Sequence, residues 1–154
     1  MSKNPKRTPA MGSIFLLNNT SYLRSHLTSS PSLAPLLSQP TLSTIDSSFR
    51  LAKAGYFDSN FSPLMQALTD DPSNSRNKSG TKEKFTRFFD LLEEASETHR
   101  MALVLQDDED GREVICDEVV RLVVPSLQRF TQKHKEKEFS KSECHPVLDK
   151  PILC

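Results

Sequence analysis

Apolar residues recur at the helical period in four separate stretches of the chain, and this pattern constrains the fold more than any other feature. The clearest stretch begins near Thr81, and its stripe lies opposite Glu93, Glu94 and Glu97. The stripe has i, i+3, i+4 and i+7 spacing and consists of Phe85, Phe88, Phe89, Leu92, Ala95, His99 and Leu103. It predicts a long amphipathic helix from Thr81 onward with one buried face.

Two earlier stretches also have helical spacing. The first predicts a helix over roughly Ala10 to His26. The second, about Thr41 to Leu68, is interrupted by Gly55 and Pro63, so we expect one helix to about Phe57 and a shorter one after Pro63. Solvated linkers are predicted over Thr28 to Ser38 and Asp70 to Gly80, which are rich in Ser, Pro and Asn.

The fourth stretch predicts a helix that opens at Asp110, an N-cap acid followed three residues later by Glu113. Pro125 should kink this helix, because proline removes one backbone hydrogen bond and crowds the preceding turn. The pattern stops at Lys141. No stretch alternates with the period of two that is typical of strands, so the fold class is all-α, an antiparallel helical bundle of about four helices.

Composition and apolar runs indicate how large the hydrophobic core can be and in which cellular compartment the chain is expected. Hydrophobic residues make up 36% of the chain, below the roughly 45–50% apolar content of an average domain, so the core should be thin. The longest apolar runs are far shorter than the ~20 residues of a membrane span. No continuous apolar signal segment follows the basic N-terminus, which favours the cytosol. Three cysteines without close pairing favour free thiols.

Charge is neutral in sum but strongly segregated. Residues 90–118 carry eleven acids against Arg100 and Arg112, whereas the segment from Arg129 to Lys141 has a net positive charge. Its bases are Arg129, Lys133, Lys135, Lys137 and Lys141, with His134 able to add charge at acidic pH. They could simply complement the negative end of the helix dipole. They could also bind an anionic membrane, where each base contributes about 1 kcal/mol. No RNA or DNA motif accompanies them, so nucleic acid is disfavoured as a partner.

The chain contains only parts of known catalytic and metal-binding motifs. Asp108, Asp110 and Gly111 resemble part of a calcium loop, but the register fails at both ends, and a helix N-cap in an acidic loop is favoured. Cys144-His145 lacks the second ligand pair of a zinc site. No histidine stands in a catalytic motif, and His99 lies on an apolar stripe as a packing residue. We therefore predict that the chain is not an enzyme and has no cofactor.

Three stretches resemble a known family in their residues and in their order along the chain. They are Ala10-Met-Gly-Ser-Ile-Phe-Leu-Leu-Asn-Asn-Thr-Ser-Tyr-Leu-Arg24, Lys82-Glu-Lys-Phe-Thr-Arg-Phe-Phe-Asp-Leu-Leu-Glu-Glu94, and Val123-Val-Pro-Ser-Leu-Gln-Arg-Phe130 with the basic run to Lys141. In this order they resemble the C-terminal part of the seventy-kilodalton subunit of the exocyst, and their sequences are typical of its fungal branch. The resemblance covers about Ala10 to Lys141. After Lys141 the sequence departs from the family pattern.

The resemblance implies a fold and a cellular role. The family forms an elongated rod of stacked helical bundles, of which this chain would be a C-terminal fragment. It tethers secretory vesicles to the plasma membrane in exocytosis and binds other exocyst subunits, Rho-family GTPases and phosphatidylinositol 4,5-bisphosphate. A cytoplasmic location, peripheral at the plasma membrane at sites of polarised growth and the bud neck, is implied. The expected organisation is a disordered basic N-terminus (1–9), a helical-bundle fragment (10–141) and an irregular tail (142–154).

The resemblance also implies a site. By position, the lipid-binding role of the family falls on the basic residues of the last predicted helix, which are Arg129, Lys133, Lys135, Lys137 and Lys141. The alternative is a helical module for protein–protein interaction that uses its acidic stretch, Asp107 to Glu118, to bind a basic partner without binding lipid.

Overall fold

Five α-helices and one 3-10 turn form the described part of a computed structural model, which covers residues 9–69 and 80–134. In chain order they are α1 (Pro9–Ser29), the 3-10 turn (Ala34–Leu36), α2 (Gln39–Asn60), α3 (Ser62–Leu68), α4 (Thr81–Ala102) and α5 (Glu109–His134). These described residues contain no strand, so the predicted all-α class is confirmed. Most of the predicted N-terminal segment, most of the Asp70 to Gly80 linker and the whole tail lie outside the described residues.

The helix boundaries follow the sequence signals with one correction. Pro63 lies in the first turn of α3, where its missing N–H is not needed, and separates α3 from α2 as predicted. The prediction that Asp110 caps the last helix is wrong. Asp108 is the cap, because its Oδ1 accepts from the Gly111 N–H at 2.9 Å and its backbone oxygen accepts from the Arg112 N–H. Pro125 lies inside α5, which continues past it to His134.

Polar contacts at the helix ends show that neighbouring helices run antiparallel. Near the start of α1, Ser13 Oγ accepts a 3.0 Å hydrogen bond from Asn60 Nδ2 at the end of α2. Near the other end of α1, Arg24 forms a 2.9 Å ion pair with Asp46. Helices α4 and α5 pair in the same way, since Thr81 Oγ1 in the first turn of α4 lies 3.3 Å from the imidazole of the last residue of α5. The predicted antiparallel bundle is confirmed.

One apolar core joins all five helices. Its fully buried side chains come from α1 (Ile14, Leu17), α2 (Tyr56), the α2–α3 junction (Phe61), α3 (Leu64), α4 (Phe88) and α5 (Val119). At about 25 cal/mol per Å² of apolar surface, burial of one such aliphatic or aromatic side chain stabilises the fold by roughly 1.5–3 kcal/mol. The seven-residue α3 is too short to be stable alone, so burial of Leu64 and its neighbours accounts for its helical state.

A buried hydrogen-bond chain crosses this core. The Tyr56 hydroxyl lies 2.8 Å from His99 Nε2, and His99 Nδ1 donates to the Ala95 carbonyl oxygen at 2.5 Å. Because Nδ1 is the donor, neutral His99 presents Nε2 as the acceptor for the Tyr56 O–H. Burial raises the pKa of Tyr56, which keeps this donor protonated. His99 is thus the packing residue that the apolar stripe predicted.

The α4–α5 connection is held by side chains of α1. Asn18 Nδ2 donates to the Leu103 carbonyl oxygen at 3.2 Å, and Asn18 Oδ1 accepts from the Leu105 N–H at 2.8 Å. Both leucines have left-handed backbone geometry, with φ of 50° and 48°. The Ser21 hydroxyl donates to Asp108 Oδ2 at 2.7 Å. These contacts fix the point at which the chain reverses direction between α4 and α5.

The cysteine expectation needs a correction. Cys116 on α5 is disulfide-bonded, so the expectation of free thiols is wrong for this residue. Cys144 and Cys154 lie outside the described residues.

Removal of the Tyr56 hydroxyl should destabilise the protein. In Tyr56→Phe the buried His99 Nε2 loses its donor, which costs about 1–3 kcal/mol of the free energy of unfolding. Urea denaturation measures this change. Tyr22→Phe is the matched control, because Tyr22 is the other tyrosine of the chain and is exposed, and its effect should stay within about 0.5 kcal/mol. Equal losses in the two variants would contradict the role of the Tyr56–His99 bond.

Stability should decrease at acidic pH through His99. Burial lowers the pKa of His99 below 6.5, opposed in part by the hydrogen bond to Ala95. Neutral His99 therefore makes its full contribution to the free energy of unfolding above pH 6.5. As the pH falls below 6.5, this histidine takes up a proton in the unfolded chain more readily than in the folded protein, and the contribution decreases. Between about pH 7.5 and 5.5, the free energy of unfolding should decrease more in the wild type than in His99→Gln. Identical decreases would show that His99 does not contribute.

Two glycine substitutions should change stability in opposite directions. A Cβ at Gly111 would overlap the Asp108 carboxylate that caps α5, so Gly111→Ala should lower the free energy of unfolding by about 1 kcal/mol despite alanine's better helix propensity. A Cβ at Gly55, inside α2, meets nothing within 4 Å, so Gly55→Ala should raise it by about 0.5–1 kcal/mol. Thermal melting followed by circular dichroism measures both, and an unchanged or raised melting temperature of Gly111→Ala would refute the assigned cap.

Candidate functional site

Antiparallel pairing gives the α4–α5 hairpin one basic end and one acidic end. The first turn of α4 lies beside the last turn of α5, where Phe85 and Phe130 are stacked with ring centroids 6.5 Å apart. The first two turns of α4 and the last two turns of α5 carry five lysines and arginines against one acid, namely Lys82, Glu83, Lys84, Arg87, Arg129 and Lys133. The acidic stretch lies at the opposite end, around the α4–α5 connection. We define the basic end by these five bases.

Two of the five residues predicted to bind lipid lie within the described residues. Arg129 and Lys133 are exposed and lie four residues apart on α5, so they share one face of the helix. Arg129 Nε donates to the Pro125 carbonyl oxygen at 3.2 Å, which lays the side chain along its own helix. The other three predicted residues, Lys135, Lys137 and Lys141, lie outside the described residues, and the lipid-binding role of all five stays a prediction.

Helix α4 contributes bases that the sequence pattern did not reveal. Lys82 and Arg87 are exposed, whereas Lys84 is half-buried and its Nζ donates to the Thr69 carbonyl oxygen at 3.1 Å. These bases precede Arg129 by some forty residues, so they do not belong to its charge run. The available signal was the predicted antiparallel bundle itself, because a short connection between two long helices places the start of one beside the end of the other.

The ends of two helix dipoles, with opposite sign, meet at the basic end. Gly80 is the N-cap of α4 and has no side chain that could accept from the first-turn amides. The positive end of the α4 dipole therefore lies beside the last turn of α5. The negative end of the α5 dipole lies there too, and Lys133 lies in the turn where a cation complements it.

His134 lies where the last turn of α5 meets the first turn of α4. It is half-buried against Phe130, with ring centroids 4.7 Å apart, and its Nε2 is buried with no hydrogen-bond partner among the described residues. The imidazole therefore packs the end of α5 against α4.

Metal clusters and membrane spans are two further kinds of site that a helical protein can carry. Across residues 9–69 and 80–134, no group of three or more histidine, cysteine, aspartate or glutamate side chains is placed to hold a metal ion. Among the helices described, none is both long enough and apolar enough to cross a membrane.

Comparison with known proteins agrees with the helical architecture. The family described as the C-terminal part of the Exo70 exocyst complex subunit matches residues 2–150, nearly the whole chain. No curated protein and no solved structure matched. The match includes all five helices, both ends of the α4–α5 hairpin and the three stretches that carried the resemblance. The chain therefore belongs to the Exo70 C-terminal family, whose role in exocytosis is that of an exocyst subunit, in association with the other subunits of the complex.

Proposed function

We propose that this chain attaches the exocyst to the plasma membrane by binding phosphatidylinositol 4,5-bisphosphate at the basic end of the α4–α5 hairpin. The observation that carries the proposal is the convergence of Lys82, Arg87, Arg129 and Lys133 at one end of an antiparallel helix pair. The headgroup of this lipid carries several phosphates, so it favours a surface with several bases over a single basic residue.

The binding is adhesion rather than chemistry. Each lysine or arginine near an anionic leaflet contributes about 1 kcal/mol, so four bases acting together supply roughly 4 kcal/mol. The acidic stretch at the other end of the hairpin is repelled by the same leaflet. The hairpin therefore approaches the membrane with its basic end first, because the two ends carry opposite charge.

The same proposal includes location and partners. The protein is cytoplasmic and peripheral at the plasma membrane, where it tethers secretory vesicles, including at sites of polarised growth and the bud neck. Rho-family GTPases are included as partners because the family resemblance implies them. Lys135, Lys137 and Lys141 are included in the lipid site because they follow α5 directly in the sequence.

Sedimentation with liposomes tests the lipid site. The wild type should sediment with vesicles that contain phosphatidylinositol 4,5-bisphosphate, and less so as salt is raised, since surface charge is screened. The double variant Arg129→Glu and Lys133→Glu should weaken partitioning by at least about 30-fold, because two lost bases correspond to about 2 kcal/mol. Lys82→Glu added to this pair tests the contribution of α4 and should weaken it further.

A matched double variant controls for net charge. Arg50→Glu and Arg121→Glu make the same change in net charge at exposed positions away from the basic end, and should leave sedimentation near the wild-type value. Equal sedimentation of the wild type and the Arg129→Glu, Lys133→Glu variant would remove the assignment of the site. Equal losses in both double variants would show that only net charge matters.

A further inference from the structure

Helix α1 exposes an apolar face that its own bundle leaves uncovered. Phe15, Leu16, Tyr22 and Leu23 are 69%, 53%, 52% and 55% exposed. Phe15 and Tyr22 lie seven residues apart, as do Leu16 and Leu23, so the four side chains form two pairs separated by two helical turns, about 10.5 Å along the axis. Four large apolar side chains on one helix face form a patch of the kind that marks an interaction site.

An open cleft of about 230 Å³ adjoins this face, between α1 and the α4–α5 connection. Tyr22 belongs to both features, because it lines the cleft and forms one end of the apolar face. Leu103 and Leu105 supply the apolar part of the cleft wall, and Asp107 and Asp108 supply the acidic part. The apolar face and the cleft are therefore one continuous surface.

The cleft has an unbalanced negative charge. Asp108 is engaged on both oxygens, by the Ser21 hydroxyl and the Gly111 N–H. Among the described residues, no hydrogen bond or ion pair holds the Asp107 carboxylate, and no lysine or arginine lines the cleft. Glu109 and Asp110 follow directly on the same connection. A cation is the group that this wall would attract.

Two aromatic rings line the cleft together with these acids. The Tyr22 and His26 rings are stacked, with centroids 3.8 Å apart and planes inclined by 28°, and His26 Nδ1 lies 3.0 Å from the Tyr22 carbonyl oxygen. Aromatic faces attract cations, and a planar guanidinium can stack on a ring while its N–H groups bind a carboxylate. An arginine can therefore contact the aromatic ring and the carboxylate at the same time, whereas the ammonium of lysine is not planar and does not stack.

The surface is preformed. The two hydrogen bonds from Asn18 to the backbone of Leu103 and Leu105 hold the connection against α1, and the Ser21–Asp108 bond holds its far side. A ligand would therefore meet a cleft that is already shaped, and little ordering of the chain would oppose binding.

From these observations we propose that the apolar face of α1 and the adjoining acidic cleft bind an amphipathic helix of a partner protein that carries an arginine at one end. The apolar pairs match the i, i+3, i+4 and i+7 side chains of a docked helix. The guanidinium enters the cleft, stacks on Tyr22 and pairs with Asp107. This surface differs in residues and in charge from the basic end of the hairpin, so the proposal does not depend on lipid binding.

Selection from a displayed peptide library tests the proposal. The whole chain is immobilised and used to select random peptides of about 16 residues, long enough for four helical turns. Enriched peptides should carry arginine beside apolar residues at helical spacing. When synthesised and titrated by fluorescence polarisation, they should bind Tyr22→Ala and Asp107→Asn at least about tenfold more weakly than the wild type, as expected for anchor contacts.

Two control variants distinguish binding at this surface from nonspecific apolar or electrostatic binding. Leu51→Ala removes another exposed apolar side chain, 74% exposed on α2, and Glu94→Gln removes an exposed acid on α4. Both should bind the peptides as the wild type does, and circular dichroism should give all four variants the same helix content.

Three results would overturn the proposal. These are the absence of enriched peptides, enriched peptides without arginine, and peptides whose affinity is unchanged by both Tyr22→Ala and Asp107→Asn. A fourth result would assign the face to a second copy of this chain. In that case sedimentation equilibrium would detect a dimer that Leu23→Glu dissociates, and the peptides would not compete with it.

Discussion

The hydrogen bonds from Asn18 and Ser21 on α1 to the α4–α5 connection are the constraint on which the surface of this protein depends. They hold two leucines in left-handed geometry and support the Asp108 cap of α5. The chain reverses direction at this point, so α5 returns along α4. Without that return, the bases at the start of α4 and at the end of α5 would lie far apart.

The reversal separates charge in space. The chain has no net charge, yet the α4–α5 hairpin has a basic end beside Thr81 and His134 and an acidic end beside Asp107. In the two proposals made above, the basic end binds an anionic membrane and the acidic end binds a cationic segment of a partner protein. A protein of the exocyst could use such a surface to contact a membrane and a protein at the same time, because the two sites lie at opposite ends of α4 and α5.

The core explains why this geometry is stable in a chain with few apolar residues. The largest buried side chains come from every helix, so each helix covers part of the others. The Tyr56–His99–Ala95 chain gives the buried Tyr56 hydroxyl and His99 imidazole their hydrogen-bond partners. A buried hydrogen-bond chain of this kind also fixes the rotation of α4 against α2, because the bond forms only when both side chains face each other.

Local physics made much of this protein predictable from its sequence. Apolar period, proline position and the absence of strand alternation determined the all-α class, the break at Pro63 and the burial of His99, because each depends on residues within a few turns of one helix. The cap of α5 was misplaced by two residues, since Asp108 and Asp110 are both acids ahead of the same helix and only the contacts to Ser21 and Gly111 distinguish them. Lys82 and Arg87 were missed at the basic end, and Tyr22 at the cleft, because these groupings join residues that are distant in sequence. The sequence alone determined which residues are helical and charged, whereas the tertiary structure decided which of them meet, since long-range packing sets the direction of each helix.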